Sequence, residues 1–226
     1  MAHAAARLGT GSVVLDQALD GGFPVGALVV LDGEPGAGAP ELAWTVLAAA
    51  ASENMGRELV YASAARSEAR LVRERNELFP GRKEAFKAKP LTLAERDRAG
   101  ALLALAGTLG RGDVLVAETT ATLGDPKGVD ALARALGDQA ADVGFLAILV
   151  HAAGTLDGAA HARLADAADA LAVLRWRDAG TVRRRHLWMP KARGLVSLLE
   201  AEEVPVFEVS LRKGAGFVAS KIKSVM

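Results

Sequence analysis

The sequence contains no cysteine, few aromatic residues, no charge imbalance and no long apolar run. Without cysteine in its 226 residues, the chain cannot form disulfides, use thiolate catalysis or bind a metal through sulfur. The absence also suits a reducing compartment, and we expect the protein to be cytoplasmic. Lysine plus arginine and aspartate plus glutamate each number 27, so the whole chain has no net attraction for nucleic acid or an anionic membrane.

The apolar stretches are not those of a membrane protein. The two longest, LAWTVLAAAA and VGFLAILV, are too short to span a bilayer, and no membrane partner is expected. The N-terminal residues MAHAAARLGTGS lack the apolar region of a signal peptide. Aromatic residues make up 4% of the chain, so the core must consist mainly of alanine, valine and leucine. The length predicts a single domain over residues 1–226.

What the sequence does contain is a regular alternation of two kinds of segment. Short, branched apolar runs predict strands at 27–33, 57–63, 113–120, 144–153 and 170–177. Longer segments between them predict helices at 39–56, 65–79, 95–112, 126–144 and 158–169. This alternation is typical of a mainly parallel sheet between two layers of helices, so the predicted fold class is α/β. The stretch RKEAFKAKP at 82–90 is expected to be a basic surface segment.

The pattern changes near residue 170. Residues 170–192 and 204–222 have the pattern of strands joined by Asp-Ala-Gly and Lys-Gly-Ala-Gly turns. Turns of this kind connect antiparallel strands, so we expect a β-rich C-terminal edge appended to the parallel sheet.

A glycine-rich segment, GEPGAGAP at 33–40, directly follows the first predicted strand. A phosphate-binding loop has the pattern G-x-x-x-x-G-K-[ST], in which backbone N–H groups surround the phosphates, the lysine contacts the terminal ones and the hydroxyl holds Mg²⁺. Here those last two positions carry Ala39 and Pro40, and Pro40 also lacks an N–H. The candidate nucleotide-binding residues of the loop are Gly33, Glu34, Pro35, Gly36, Ala37, Gly38, Ala39 and Pro40.

Two interpretations of this loop stay open at this point: residual nucleotide binding through backbone amides, or only a tight strand-to-helix turn. Each lost charge-assisted contact costs about 1.5–3 kcal/mol of binding free energy. The loss in phosphoryl transfer should be larger, because that reaction depends almost wholly on positioning and electrostatics. We therefore expect no efficient ATP hydrolysis and no required cofactor, with ATP or ADP bound weakly at most.

The opening stretch RLGTGSVVLDQALDGGFPVGALVVLDGEPGAG resembles the RecA-superfamily group that includes KaiC and the archaeal RadA-like proteins. The matching positions before the loop are Thr10, Gly11, Leu15, Asp16, Gly21, Gly22 and Gly26. Later segments agree in order and spacing: DVLVAETT, GFLAILVHAAG, PKARG and PVFEVSLRKGAGFVASKI. The resemblance covers nearly the whole chain and implies a RecA-like fold.

The departures from that family are as informative as the matches. The metal-binding strand of the family ends in aspartate, whereas Glu118 stands at that position and joins the candidate nucleotide-binding residues. The family's acidic pair falls near Ala65 and Arg66, with Glu68 displaced onto the next helix. The resemblance thus implies a degenerate, non-catalytic ATPase homologue with a regulatory or accessory role in signalling or DNA maintenance. Bacterial accessory proteins of translesion synthesis, which share a lysine-less RecA-like domain, remain an alternative.

Lys191 and Arg193 resemble the family's Lys-x-Arg pair, which contacts the nucleotide of a neighbouring subunit. The resemblance implies an oligomer with itself or with other RecA/KaiC-like subunits. One alternative is therefore a weak ATPase that uses Lys191 of a neighbour, or Lys127, in place of the missing lysine. The other reading of Lys191 and Arg193 is a basic hairpin with no special partner.

Residues 175–193 are the most basic part of the chain, and they interleave arginine with Trp176 and Trp188. Arginine next to aromatic residues suits phosphate contacts and base stacking, so Arg183, Arg184 and Arg185 are candidate nucleic-acid ligands. Alternatively, the tryptophans pack inward while the arginines face solvent or pair with acidic residues. Nucleic-acid binding in recombination or repair is thus a further alternative function.

The histidines indicate a ligand-binding site less clearly than the glycine-rich loop does. His151 ends a predicted strand, where it could contact a phosphate or metal, although a hydrogen-bonded structural role is the simpler interpretation. Its distance from His161, ten residues, matches no metal-ligand spacing that we recognise, and no metal site is expected.

Overall fold

The computed structural model describes residues 6–53, 56–80, 87–91, 97–118, 128–192 and 206–221. The strands are β1 (Arg7–Leu8), β2 (Phe23–Pro24), β3 (Leu28–Gly33), β4 (Leu59–Ser63), β5 (Lys87–Pro90), β6 (Val114–Glu118), β7 (Leu146–Ala152), β8 (Ala170–Ala179), β9 (Val182–Ala192), β10 (Val206–Arg212) and β11 (Gly216–Lys221). The helices are α1 (Val13–Ala18), α2 (Ala39–Ser52), α3 (Glu68–Leu78), α4 (Arg98–Ala106), α5 (Val129–Val143) and α6 (Gly158–Ala167).

Nine of the described strands form one sheet, in the order β11-β10-β9-β8-β3-β7-β6-β4-β5. The pairs from β8 through β3, β7, β6 and β4 to β5 are parallel. The pairs β8–β9, β9–β10 and β10–β11 are antiparallel. The predicted α/β class, with a mainly parallel sheet and a β-rich C-terminal edge, is therefore confirmed.

The sheet has helices on both faces because its central strands are apolar on both sides. All six residues of β3 are buried, as are all five of β4 and of β6. Successive residues of β3 alternate between two apolar clusters: Val29 and Leu31 pack on the α2 side, and Leu28 and Val30 on the opposite side. Burial on both faces explains why these strands are continuous apolar runs in the sequence.

The strand register brings several polar residues to the carboxyl edge of the sheet. Asp32 of β3 pairs with His151 of β7, and Glu118 of β6 pairs with Val150 one position away. Ser63, the last residue of β4, lies opposite Glu118. In open α/β sheets this edge is where ligands bind, so it is the place to look for a site.

The C-terminal strands cover the start of α2. β10 and β11 form a hairpin, and the Phe217 N–H donates a hydrogen bond to Thr45 Oγ1 of α2 at 2.9 Å. Thr45 Oγ1 in turn donates to the Glu41 carbonyl at 2.7 Å. The antiparallel edge is thereby attached directly to the helix that follows the glycine-rich loop.

The expectation for 82–90 needs one correction, because Lys87–Pro90 is not only a surface segment but forms the edge strand β5. It pairs in parallel with β4, from Val60 to Ser63. An edge strand needs ladder hydrogen bonds on one side only, so it tolerates both proline and lysine. Lys89 reaches Glu58 at 3.7 Å. None of the described helices has both the length and the apolar character needed to cross a membrane.

Candidate functional site

The glycine-rich loop connects β3 to α2 in a tight, partly buried turn. The Glu34 N–H donates to the Leu174 carbonyl at 3.0 Å, and the Ala37 N–H donates to the Glu34 carbonyl at 2.9 Å. Gly38 precedes α2 in the left-handed conformation, with φ of 108°. A Cβ on Gly33 would lie 2.6 Å from the Ala39 Cβ, so this close approach requires glycine. Two of the backbone N–H groups of the loop are thus already bonded within the chain, as in a tight turn.

Two side chains from the β8–β9 ribbon lie across the exposed part of the loop. The Trp176 backbone N–H donates to Glu34 Oε2 at 2.8 Å, and its indole Nε1–H donates to the Pro35 carbonyl at 3.1 Å. Arg185 Nε donates to the Gly36 carbonyl at 2.8 Å. The Arg185 guanidinium also stacks on the Trp176 ring, 4.4 Å from its centroid. The ribbon therefore holds the loop through two backbone carbonyls and the Glu34 carboxylate.

The other side of the loop packs against the C-terminal hairpin. A Cβ on Gly38 would lie 3.3 Å from the Phe217 ring and 3.6 Å from Leu211. Gly38 and Ala39 are buried, whereas Pro35 and Gly36 are exposed. The loop is thus enclosed by the chain's own C-terminal strands on two sides.

Glu118, at the end of β6, is a buried carboxylate with several partners among the described residues. Its side chain is 3% exposed and forms an ion pair with the Arg66 guanidinium. Ser63 Oγ donates to Glu118 Oε2 at 2.7 Å, and the Tyr61 hydroxyl lies 3.4 Å from Oε1. Arg66 bridges from Glu118 to Glu74 of α3. The carboxylate is neutralised by an arginine of its own subunit.

The electrostatics of this cluster keep Arg66 charged and Tyr61 neutral. Burial by itself lowers the pKa of Arg66, but Tyr61, Glu118 and Glu74 more than offset that effect, so its pKa is raised overall. Burial, assisted by the charge of Glu118, raises the pKa of Tyr61 well above its ordinary value. The Tyr61 ring also stacks on Trp44, with centroids 4.3 Å apart.

The residues around Arg66 follow the sequence expectation for this segment. Ala65 and Arg66 occupy the turn after β4. Glu68 is exposed in the first turn of α3, on the next helix as expected. The Ser67 hydroxyl caps that helix by accepting the Arg70 N–H. The sequence indicated the loss of an acidic pair, but not the ion pair that Arg66 forms.

A cleft of about 520 Å³ opens beside this cluster, between α2, α3 and the β10–β11 hairpin. Its volume is within the range of small-molecule sites. The residues that line the cleft include Pro40, Glu41, Trp44, Arg66, Glu74 and Leu211. Acidic, basic and aromatic groups therefore surround one opening next to the end of the glycine-rich loop.

A second polar cluster, the Asp32 cluster, lies at the same sheet edge and consists of Asp32, His151, His161 and Arg175. Asp32 is fully buried, and its Oδ2 lies 3.1 Å from His161 Nε2. His151 Nε2 lies 4.0 Å from Asp32 Oδ1. Arg175 pairs with Asp32 Oδ2 and also donates to the Asp32 carbonyl at 2.7 Å.

Sequence reasoning singled out His151 but missed its partners. Burial lowers the pKa of His151 below its ordinary value, while the charge of Asp32 opposes this shift. The available signal was Asp32 itself, an acidic residue at the end of a fully apolar strand and directly before the loop. Such a carboxylate needs a buried partner. Its partners come from β7, β8 and α6, which no local pattern connects.

The candidate nucleic-acid residues are engaged with other residues of the chain. Arg183 lies 3.3 Å from Asp178 and over the Trp176 ring, and Arg184 pairs with Glu208 at 2.7 Å. Arg185 contacts the glycine-rich loop. Both tryptophans of the ribbon, Trp176 and Trp188, are partly buried against the two apolar clusters. Nucleic-acid binding by these arginines stays a prediction.

Lys191, a residue of β9, places its side chain beside the C-terminal end of α6. Its Nζ donates to the carbonyls of Ala165 and Asp166, at 2.8 and 2.7 Å. A cation at this position suits the helix dipole. Arg193 and Lys127 lie outside the described residues. The role of the pair in a neighbouring subunit therefore stays a prediction.

Solved structures with the same fold include two archaeal proteins. A KaiC-like protein from the hyperthermophilic archaeon Pyrococcus horikoshii is 16% identical, with a TM-score of 0.74 over 96% of this chain and 99% of that one. The flagellar accessory protein FlaH from Methanocaldococcus jannaschii is 15% identical, with a TM-score of 0.75 over 96% and 99%. At these identities the likeness establishes the fold alone, and it confirms the RecA-like class.

Comparison by sequence identifies the family of the chain. The profile of a family of unknown function, DUF7125, matches residues 7–206. Among curated proteins, none has a sequence that matches this chain.

Proposed function

The chain belongs to the family DUF7125, and we propose that it is a RecA/KaiC-like accessory or regulatory subunit that does not hydrolyse ATP efficiently. The observation that carries this proposal is the ion pair between Glu118 and Arg66. In P-loop enzymes the metal ion is held by the loop hydroxyl and by an acidic residue on a nearby strand. Here the hydroxyl position is Pro40, and the carboxylate of Glu118 already carries a guanidinium.

A magnesium ion beside Glu118 would have to share one buried carboxylate with Arg66. Both oxygens of this carboxylate already accept hydrogen bonds, Oε1 from Arg66 and Oε2 from Ser63, so a metal ion would have to displace one of these donors. Removal of Arg66 from its place would in turn leave Glu74 without one of its two arginine partners. The chain's own arginine therefore supplies the positive charge that a metal ion would bring.

The contacts of the loop also favour weak nucleotide binding. Trp176 and Arg185 lie across Pro35 and Gly36, and a bound nucleotide would have to coexist with them or displace them. Glu34 adds a negative charge next to the phosphate position. Backbone amides remain the main groups that could attract a phosphate.

The test is to measure ATP binding and phosphate release with and without Mg²⁺, for the natural chain and for the double variant Ala39→Lys/Pro40→Thr. We expect the natural chain to bind ATP with a Kd of about 1 mM or weaker, with no gain from Mg²⁺ and no turnover. The double variant should bind at least about tenfold tighter, since it restores one charge-assisted contact. Trp176, which touches the loop, provides a fluorescence signal for binding.

The matched control is Ala39→Met/Pro40→Thr, which adds a side chain of similar length without the charge. It should bind ATP no better than the natural chain. Tight, magnesium-dependent ATP binding with turnover by the natural chain would overturn the proposal.

A subunit that does not hydrolyse ATP acts through its partners. We expect an oligomer with itself or with RecA/KaiC-like subunits whose loop is intact, in cytoplasmic signalling or in DNA maintenance. The check is affinity purification of the tagged chain from its own cells, followed by mass spectrometry and light scattering. A monomer that brings down no RecA-like subunit would contradict this part of the proposal.

The alternative of a weak ATPase makes a different prediction. If Lys191 served a neighbouring subunit, it would have to leave the carbonyls of α6. ATP turnover would then be present in the oligomer and lost in Lys191→Ala. The nucleic-acid alternative predicts that Arg183→Ala/Arg184→Ala/Arg185→Ala weakens single-strand binding and flattens its salt dependence.

A further inference from the structure

We propose that Asp32, His151 and His161 bind a divalent transition metal ion of the zinc or iron(II) class. One ligand atom of each residue lies within 4.8 Å of the other two. The three residues come from β3, β7 and α6, so the fold, not the local sequence, brings them together. The proposal does not depend on whether the chain binds ATP, although Asp32 directly precedes the glycine-rich loop.

The ligand atoms of the cluster lie near one another but are spaced more widely than around a bound ion. His161 Nε2 lies 3.1 Å from Asp32 Oδ2, and His151 Nε2 lies 4.0 Å from Asp32 Oδ1. Nitrogen and oxygen ligands lie about 2.0–2.2 Å from zinc, which places tetrahedral ligands about 3.3 Å apart. Ligand atoms as much as 4.8 Å apart would have to close by up to about 1.5 Å to reach that spacing. His161 lies on the surface of α6, where its side chain can turn toward the ion.

A second observation at the cluster points to a ligand. Asp32 is fully buried, yet its Oδ1 has no hydrogen-bond partner among the described residues. This oxygen is the one nearest to His151. A buried carboxylate oxygen without a partner is costly, and proteins seldom leave one unsatisfied. A cation between Asp32 Oδ1 and the two imidazoles would satisfy it.

Arg175 is a cation that could compete with a metal ion for Asp32. It binds Oδ2 of the carboxylate, which leaves the Oδ1 side open for the ion. Its guanidinium pairs with Asp32 Oδ2 and donates to the carbonyls of Asp32 and Leu174. Oδ1 therefore stays free for an ion, and Arg175 fixes the direction of the carboxylate. Carboxylates that bind metals are commonly oriented by a hydrogen bond to their other oxygen. Glu34, 3.9 Å from Arg175, offsets part of the arginine charge.

The donor set indicates the class of ion. Two imidazoles and one carboxylate suit zinc, iron(II), cobalt(II) or nickel(II), whereas magnesium and calcium prefer oxygen ligands. Three protein ligands also leave at least one coordination position for water or a small ligand. His161, whose side chain is 36% exposed, provides the side from which an ion can enter.

The experiment uses the full chain, treated with a chelator and then titrated with Zn²⁺ by calorimetry and with Co²⁺ by visible absorption. We expect one equivalent to bind with a Kd of about 1 µM or tighter. Cobalt should give the absorption bands of a four- or five-coordinate ion. Zinc should raise the melting temperature of the natural chain.

The variants are His161→Ala and Asp32→Asn, with His186→Ala as the matched control. His161 is partly exposed, so its replacement should leave the fold intact, and Asp32→Asn keeps the shape of the side chain. Each should weaken zinc binding at least tenfold and remove the thermal shift. His186, which lies on β9 outside the cluster, should be replaceable without effect.

Two outcomes would overturn the proposal. One is a natural chain that binds neither ion at micromolar concentration, which would make the cluster a structural ion pair only. The other is binding that His161→Ala leaves unchanged or that His186→Ala weakens as much. Circular dichroism of each metal-free variant separates lost binding from lost folding.

Discussion

Position 33 requires glycine because there is no room for a Cβ atom on its α-carbon. The loop folds back onto the first turn of α2, and an added Cβ would lie 2.6 Å from the Ala39 Cβ. Gly33 and Ala39 are both buried, so neither can move far. A glycine at this position would be required even if no phosphate ever entered the loop.

We therefore predict that Gly33→Ala lowers the free energy of unfolding by about 1–3 kcal/mol through overpacking. The measurement is urea denaturation followed by circular dichroism. Gly128→Ala is the matched control, because nothing lies within 4 Å of its Cβ position and its φ of −96° suits any residue. Equal urea midpoints for the two variants would contradict the prediction.

Arg66 illustrates what the sequence could and could not reveal about single residues. The resemblance to KaiC and RadA-like proteins indicated that the acidic pair falls near Ala65 and Arg66. It did not indicate that Arg66 pairs with Glu118 and Glu74. That contact depends on the register of β4 with β6 and on the angle at which α3 leaves the turn, and neither follows from a local pattern.

At the scale of an element, the helix α6, the sequence again did not indicate the contact that a residue forms. That residue is Lys191. The carbonyls of the last turn of a helix have no partner within the helix. In α6, Lys191 Nζ reaches two of them, those of Ala165 and Asp166, from the neighbouring strand β9. The motif PKARG suggested a role in another subunit, but this contact gives Lys191 a role within its own.

We predict that Lys191→Met lowers the free energy of unfolding of the isolated chain by about 1 kcal/mol, since methionine keeps the aliphatic stem and loses the charged donor. The measurement is urea denaturation at a protein concentration where the chain is monomeric. Lys213→Met, at an exposed position, serves as control and should change stability little. An unaltered stability together with loss of an oligomer-dependent activity would instead favour the role in a neighbouring subunit.

The β8–β9 ribbon was predicted correctly as an element, whereas its main contact was not. Its Asp-Ala-Gly turn and alternating pattern indicated two antiparallel strands, which the structure has. The sequence left open whether its tryptophans pack inward or stack on bases. In the structure Trp176 and Arg185 contact the glycine-rich loop, at a sequence distance of more than 100 residues. Long-range contacts of this kind are invisible to periodicity, which reports only the local element.

At the scale of the whole molecule, the order of strands and helices was the most predictable feature. Central strands buried on both faces leave continuous apolar runs, and the helices between them have clear starts and ends. β5 was missed because Lys87–Pro90 carries no such signal. The Asp32 cluster was missed because its members meet only after three strands and a helix have assembled.

The buried cluster of Glu118, Arg66 and Tyr61 also makes the stability of the whole molecule depend on pH. Tyr61 is the only tyrosine in the chain, and burial raises its pKa well above its ordinary value of 10.0. Above that pH the unfolded chain releases the phenolic proton, while the folded chain retains it. Unfolding then releases a proton, so the free energy of unfolding falls as pH rises past this point. Below pH 10.0 the phenol is protonated in both states and contributes no slope.

We predict that tyrosinate absorbance appears only together with the loss of circular dichroism when the pH is raised, because burial keeps the pKa of Tyr61 well above its ordinary value in the folded state. With a single tyrosine, the absorbance reports this residue alone. Tyr61→Phe removes the group and, among the described residues, loses a long 3.4 Å hydrogen bond to Glu118, so it should stay folded to a higher pH. Tyrosinate formation near pH 10.0 with circular dichroism unchanged would show that the phenol is accessible, and the buried cluster around Arg66 would then have to be open to solvent.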